Sequence, residues 1–418
     1  MADAGVYLHI PFCRSRCSYC DFATGMYESG AAVTYVGALD REIREWREID
    51  EPLPVDTIYF GGGTPSLLQS AQIAAILETV RNRFQIVDDW SASVPACASH
   101  EGASPEATGT VALQSERHDP EITIEINPAS IAVNSQPADE LSREKLHAFR
   151  SFGINRASFG AQTFDDRELK QLGRTHTAAD IPSTFNQLRA AGFENINFDL
   201  IAGLPGQTLA SWKRNLDEAL KLRPEHLSLY LLDVHEGTPL ADQIQSGMRP
   251  KPDEDLAAEM YATMIETVCA SGYEHYEISN FCRPGFQARH NTKYWTGAPY
   301  YGFGNSAHSY DGACRRWANQ RDAPKYVAMI ESGESPIVER IQLDSGELRS
   351  ESIFLGLRLM SGIDLETHRV RFGRDLCTEF NGELDRLHQA GLIEINDKRL
   401  RLTKRGALLS NEVFAALA

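Results

Sequence analysis

The chain has 418 residues, enough for one large domain with one or two small ones. Hydrophobic residues make up 42% and charged residues 24%, as in a folded globular protein, and 41 Lys+Arg against 58 Asp+Glu leave a net charge of −17. That balance argues against general nucleic-acid binding, which needs a basic face to displace counterions. The opening MADAGVYLHI lacks the basic start and long apolar core of a signal peptide, and no apolar run reaches the length of a membrane span. Three of the eight cysteines are clustered, while Cys97, Cys269, Cys282, Cys314 and Cys377 are scattered. A reducing cytoplasm is therefore expected rather than a secreted disulfide framework, and peripheral membrane contact stays open.

From residue 5 to 235, short β-branched or aromatic runs alternate with amphipathic stretches. The strand candidates are VYLHI (6–10), DTIYFGG (56–62), EITIEIN (121–127), RASFGAQ (156–162), NINFDLIAG (195–203) and HLSLYLLD (226–233). Helical periodicity lies between them, for example over 35–46, 138–149 and 208–220. Strand and helix repeated six times predict an α/β fold, a parallel sheet covered by helices, in an open or partial barrel. In such sheets ligands gather where strands end. Here the ends run into the cysteines, GGGTPS (61–66), Glu125 with Asn127, Gln162, Asp199 and Asp233. Six polar or glycine-rich ends exceed what a plain scaffold would show by chance.

Residues 88–119 break the rhythm: they are rich in Ser, Ala and Gly and poor in large apolar groups, and read as a flexible insertion that carries Cys97 incidentally. Beyond 345, stretches 350–359 and 378–392 look helical, 392–403 reads as a hairpin turning at Asn396-Asp397, and a last helix follows. Helices followed by a two-stranded wing predict a winged-helix-like C-terminal domain over 346–418. This part has 11 Lys/Arg against 11 Asp/Glu, and its pre-wing helix carries Glu383 and Asp385, so a docking or lid role fits better than groove reading.

PFCRSRCSYCDF (11–22) places Cys13, Cys17 and Cys20 four and three residues apart, with no fourth cysteine near. Buried thiols fit poorly beside Arg14, Ser15 and Arg16. A zinc site would need His9 as a fourth ligand, although His9 belongs to a strand. A redox dithiol would use Cys17 and Cys20 and leave Cys13 idle. An iron–sulfur cluster on three thiolates would keep one iron open to a small chelating ligand.

CxxxCxxC after a first strand, with Tyr19 before the last cysteine, resembles the radical S-adenosylmethionine (SAM) superfamily. In that family three thiolates hold a 4Fe–4S cluster and SAM fills the open iron. HIPFCxxxCxYCDF, GGGTPS, IEINP (124–128), SFGAQTF (158–164), LGRTH (172–176) and FDLIAGLPGQT (198–208) follow the order of the coproporphyrinogen III dehydrogenase group, and the resemblance spans nearly the whole chain outside 88–119. It implies Cys13, Cys17 and Cys20 as cluster ligands. Tyr7, Tyr19, Gly62, Gly63, Thr64, Glu125, Gln162, Arg174 and Asp199 are implied as the SAM environment. In that environment glycine permits close approach and offers N–H groups to a carboxylate. Glu125 or Asp199 would accept from ribose hydroxyls, and Arg174 would pair with a carboxylate. Asp199 has a structural alternative, capping the next helix.

Two departures narrow the resemblance. The dehydrogenases carry a further cysteine where this chain has Phe22, and residues 290–295 read HNTKYW, a signature of the heme-chaperone branch of the group. That branch implies heme as cargo, His290 as its axial ligand, His308 as a weaker rival, and flat faces from Tyr294, Trp295, Tyr300 and Tyr301. The expected organisation is a radical-SAM partial barrel over 1–235, a family-specific segment over 236–345 and the C-terminal domain. The expected function is heme binding and delivery to heme-accepting proteins, respiratory ones included, with no dedicated turnover. The enzymatic alternative is oxidative decarboxylation of coproporphyrinogen III through a 5′-deoxyadenosyl radical.

Overall fold

A computed structural model describes residues 2–87, 119–131 and 136–417. The expected flexible insertion and Cys97 lie outside the described residues, apart from Asp119 at the insertion's end.

The six expected strands form, as Ala4–Ile10, Val55–Gly62, Glu121–Ile126, Arg156–Gln162, Asn195–Ala202 and His226–Leu231. They pair side by side in that order and all run parallel. Alternation along each strand explains the architecture. Val6, Leu8, Ile58, Phe60, Ile124 and Phe159 are all fully buried in the hydrophobic core, whose members include residues of the covering helices Ser29–Glu45 and Ser70–Arg83. The intervening positions, such as Tyr7, His9, Tyr59, Glu125, Asn197 and Asp199, bond or stack with one another across the sheet. The barrel thus has an apolar outer face and a polar interior.

The middle segment does more than the sequence indicated. Tyr300–Phe303 adds a seventh parallel strand beside Ala4–Ile10, and His308–Tyr310, Arg315–Asn319 and Ile337–Gln342 continue that edge antiparallel. Asn280–Cys282 and Glu274–Glu277 extend the opposite edge beyond His226–Leu231. The result is one twelve-stranded sheet among the described residues.

HNTKYW forms the helix Arg289–Thr296 across the N-terminal ends of the barrel strands. Glu121, the first residue of its strand, accepts from the backbone N–H groups of Arg289 and His290 at 3.1 and 3.0 Å. A carboxylate suits the positive end of a helix. Asp56, also at a strand start, holds Lys293 at 2.6 Å and Arg289 at 3.3 Å, and Lys293 also donates to the carbonyl of Asp3. This helix is the barrel's floor.

The C-terminal part has the expected hairpin, Ile393–Ile395 with Arg399–Leu402, and Asn396 Oδ1 accepts from the N–H groups of Lys398 and Arg399 to close the turn. Ile363–Asp364 adds a third strand, and Leu365–Phe372 is a helix the sequence reading missed. The long helix Ser345–Arg358 starts on a capping box between Asp344 and Glu347. Its end attaches to the sheet edge: Arg358 pairs with the buried Glu277 at 2.8 Å, and Met360 N–H donates to the Tyr276 carbonyl. Helices with a three-stranded antiparallel wing make this region winged-helix-like. Among the described residues no helix is long and apolar enough to cross a membrane.

Candidate cluster and cofactor site at the barrel mouth

The cysteine loop leaves the C-terminal end of the first strand. Cys13 closes the short strand Phe12–Cys13, paired with Gly25–Met26, and Cys20 N–H donates to the Cys17 carbonyl in a tight turn. Outside contacts hold the loop. Ser18 N–H donates to the Leu172 carbonyl, Leu240 N–H donates to the Ser18 carbonyl, and the Tyr19 ring packs on Leu172, Ile201 and Leu204. LGRTH is therefore the shelf on which the loop rests.

The three thiols are half-buried and unbridged. Two receive side-chain hydrogen bonds: Thr64 Oγ1 donates to Cys13 Sγ at 3.8 Å and Arg174 Nη1 donates to Cys17 Sγ at 3.5 Å. Donors aimed at sulfur stabilise a thiolate and tune a cluster. Burial pushes the Cys20 thiol up to about 11 and raises Cys13, so without metal both stay protonated, and loading iron must release protons.

Zinc fits badly. His9 is committed at both ring nitrogens, Nδ1 with the Tyr7 hydroxyl and Nε2 with the Ala23 carbonyl, each at 3.1 Å. Among the described residues no three His, Cys, Asp or Glu side chains converge on a single-ion position. Zinc at about 2.3 Å from each sulfur draws its ligands together, whereas a cluster bridges wider-set thiolates because each binds a different iron.

The glycine-rich turn corrects one expectation. A Cβ on Gly63 would lie 2.7 Å from the Phe12 carbonyl oxygen, and Gly62, at φ +107°, would place one 2.5 Å from the His9 ring. The close approach that requires glycine is to the first strand and the cysteine loop. The N–H groups are also taken: Gly62 donates to Glu125, Gly63 to the Ile10 carbonyl and Thr64 to the Phe12 carbonyl. In this conformation the N–H groups of Gly62, Gly63 and Thr64 are therefore not available to a ligand carboxylate.

Facing that turn, Glu125 accepts from Tyr59 Oη at 2.9 Å and Gly62 N at 3.1 Å. Burial, then the charge of Asp199, pushes its carboxyl up to about 7, with Tyr59, Gly62 and Arg156 pulling the other way. Asp199 accepts from Asn197 Nδ2 at 2.8 Å, and burial raises it too. Its capping alternative fails, because Thr208 caps the helix Leu209–Leu222 by accepting from Ser211 N–H. Gln162 is buried at a strand irregularity with φ +64°, a conformation that strains a non-glycine residue. Arg174 Nη2 donates to the Gly160 carbonyl at 2.8 Å, which places its guanidinium between that strand and the cysteines. Tyr7 stacks on Tyr59 below them, ring centroids 6.1 Å apart. The cysteines, Gly62, Gly63, Thr64, Glu125, Gln162, Arg174 and Asp199 thus lie toward the C-terminal ends of the strands, and Tyr7 lies deeper, its ring 6.5 Å from that of His290.

One of the six polar strand ends, Asp233, and the Asn127 of another take no part in these contacts. Asn127 Oδ1 accepts from Ala129 N–H and only shapes a turn, and Asp233 is exposed beside His235. Missed were Tyr59 and Asn197, which hold Glu125 and Asp199, and Arg156, 1% exposed in the interior. The strand period was the signal for Asn197, which lies two residues before Asp199 and hence on the same face, and more weakly for Tyr59, two residues before Gly61 of the GGGTPS turn.

The heme expectations fare differently. His290 is 1% exposed, with Nδ1 bonded to Thr57 Oγ1 at 2.9 Å and Nε2 to Tyr294 Oη at 3.0 Å. Neither nitrogen is available to iron in this conformation. Tyr300 and Tyr301 are buried strand residues, and His308 sits exposed on an added strand. Trp295 turns toward the C-terminal domain, under the Arg358 guanidinium at 4.2 Å.

A polar-lined parallel barrel with three thiols at its mouth defines a radical SAM type of site, and the comparisons agree. Residues 7–219 match the Radical SAM superfamily, and 343–409 match the HemN C-terminal domain. The chain is 34% identical to the heme chaperone HemW of Bacillus subtilis (strain 168) over 98% of each chain. It is 35% identical to the heme chaperone HemW of Synechocystis, over 100% of this chain and 97% of that one. Among solved structures, the coproporphyrinogen III oxidase HemN of Escherichia coli, described as a radical SAM enzyme, superposes with TM-score 0.78 at 23% identity, covering 100% of this chain and 90% of that one. The chain belongs to the radical SAM superfamily and, within it, to the family of the HemW proteins.

Proposed function

We propose that this protein is a heme chaperone that binds heme and passes it to acceptor heme proteins. The observation that carries this reading is the 34–35% identity to heme chaperones along essentially the full chain. The likeness to the coproporphyrinogen oxidase concerns the fold.

On this reading Cys13, Cys17 and Cys20 hold a 4Fe–4S cluster, and the mouth residues Tyr7, Tyr19, Gly62, Gly63, Thr64, Glu125, Gln162, Arg174 and Asp199 surround SAM. When bound, the pair supplies one-electron chemistry. Arg174 and Thr64 donate to the sulfurs and set how readily the thiolates form. Glu125 and Asp199 place two carboxyls where a cationic sulfonium ligand would favour their ionised forms. Tyr59 and Asn197 fix those carboxyls in place. The cytoplasm is the expected compartment.

Anaerobically reconstituted protein should bind hemin and transfer it to an apo-hemoprotein, followed by absorption. Given SAM, reductant and coproporphyrinogen III, it should form no protoporphyrinogen. Steady decarboxylation with SAM consumed would replace the chaperone by the dehydrogenase.

A further inference from the structure

Between the Arg289–Thr296 helix and the C-terminal domain lies a cleft of about 230 Å³. Trp295, Leu355 and Phe372 supply apolar walls. Set into the same walls are nitrogens without partners. Trp295 Nε1 and both ring nitrogens of His368 are buried with no hydrogen-bond partner among the described residues, while Arg316 beside them is held by Tyr300 and Glu351. An orphaned buried polar group costs about 1–3 kcal/mol, so such groups are uncommon. Two such side chains around one cleft, one of them unpartnered at both ring nitrogens, indicate a ligand with matching groups.

His368 is the informative member. It is 5% exposed and lies in the helix Leu365–Phe372, its ring 4.7 Å from that of Phe372. Burial, helped by Arg349 and Arg371, lowers it to about 4. The imidazole is therefore neutral near pH 7, the form that ligates metals. His290 is the opposite case: ligation there would break an existing bond at either nitrogen.

We propose that this cleft seats one edge of an iron tetrapyrrole, with His368 as axial ligand, Trp295 and Phe372 against the macrocycle, and Arg371 toward its carboxylates. This rests on the heme-chaperone reading and moves the iron ligand from the motif histidine to the C-terminal domain. Pockets that enclose a small ligand run to about 300–1,000 Å³. The smaller cleft leaves part of the macrocycle outside, where an acceptor can reach it. The family signature keeps a role through Trp295, which lines the cleft while His290 braces the barrel.

The test is hemin titration of the full-length, cluster-loaded protein and its His368→Ala, Leu355→Trp and His290→Gln variants, read by difference absorption and by the ligand-sensitive Soret band. His368→Ala should weaken binding by about tenfold or more, about 1.4 kcal/mol, and remove the imidazole-ligated band. Leu355→Trp should weaken binding by filling the cleft while leaving every nitrogen in place. His290→Gln, where circular dichroism shows it folded, should retain the wild-type band. If the wild type binds and His368→Ala and Leu355→Trp bind identically with the same band, the cleft assignment is overturned and the chaperone reading stands. If the wild type binds no hemin, the chaperone reading falls and this inference with it.

Discussion

At the barrel floor, Asp56 meets Lys293 at 2.6 Å and Arg289 at 3.3 Å, Glu121 accepts two helix N–H groups, and His290 is bonded at both nitrogens. At the mouth, Glu125 and Asp199 carry raised carboxyls side by side, Gln162 is held at φ +64°, and three thiols stand unbridged. Both ends use carboxylates, histidine and cations. The floor matches each charge with its opposite, whereas the mouth sets carboxyl near carboxyl and thiol near thiol. Matched groups brace a scaffold. Mismatched and strained ones are tolerated where a ligand completes them. A chain of contacts joins the two ends, from Tyr294 to His290, from the His290 ring to Tyr59 at 5.2 Å, from Tyr59 to Glu125, and from Glu125 to Gly62.

Breaking the mouth should have the largest effect, and it should concern metal rather than folding. Cys13→Ala, Cys17→Ala or Cys20→Ala should each reduce iron in anaerobically reconstituted protein to background. Alanine at Cys269, Cys282, Cys314 or Cys377 should leave it unchanged. Stoichiometric zinc in place of iron would mean that the thiols serve a different metal.

Breaking the floor should do the reverse. Asp56→Ala leaves the Lys293 and Arg289 cations buried without their carboxylate, which should cost about 3–5 kcal/mol in urea unfolding. The fraction that remains folded should load iron normally. A loss nearer the about 0–1 kcal/mol of surface ion pairs would show that the floor is solvated rather than cohesive.

A finer difference lies in pH. Burial, then the charges of Lys293 and Arg156, lowers His290 to about 3 from its ordinary 6.5. The unfolded chain therefore binds this proton first, and the stability it contributes is complete above pH 6.5 and lost as pH falls toward about 3. Within that window His290→Gln should flatten the pH dependence of unfolding free energy by about 1.4 kcal/mol per pH unit relative to wild type. Parallel pH profiles would place the His290 ring in water.

The smallest effect should come from the Ser-, Ala- and Gly-rich stretch 88–119. Replacing residues 90–117 by a short Gly/Ser linker should change stability by no more than about 0.5 kcal/mol and leave iron loading and hemin binding intact. A lost hemin titration would assign that segment a part in cargo binding.

Much of the mouth was legible because its information is local. The cysteine spacing, the glycine-rich turn and the period-two alternation each lie within a dozen residues, and parallel strands bring their C-terminal ends to one side without further instruction. The hairpin at Asn396 was legible for the same reason. What only the tertiary structure decided depends on partners hundreds of positions apart. Tyr300 and Tyr301 read as flat faces for heme until Gly5 and Val6 pair with them and make them a strand. HNTKYW offered a histidine until Thr57, Tyr294 and Glu121 took its ring and its backbone. His368 drew no attention in the sequence, and only a domain contact leaves its nitrogens without partners beside Trp295. Residue type and spacing establish which groups can bind a ligand. Which of them are already satisfied is settled by long-range packing, because a hydrogen bond closes only where the fold brings its two ends within reach.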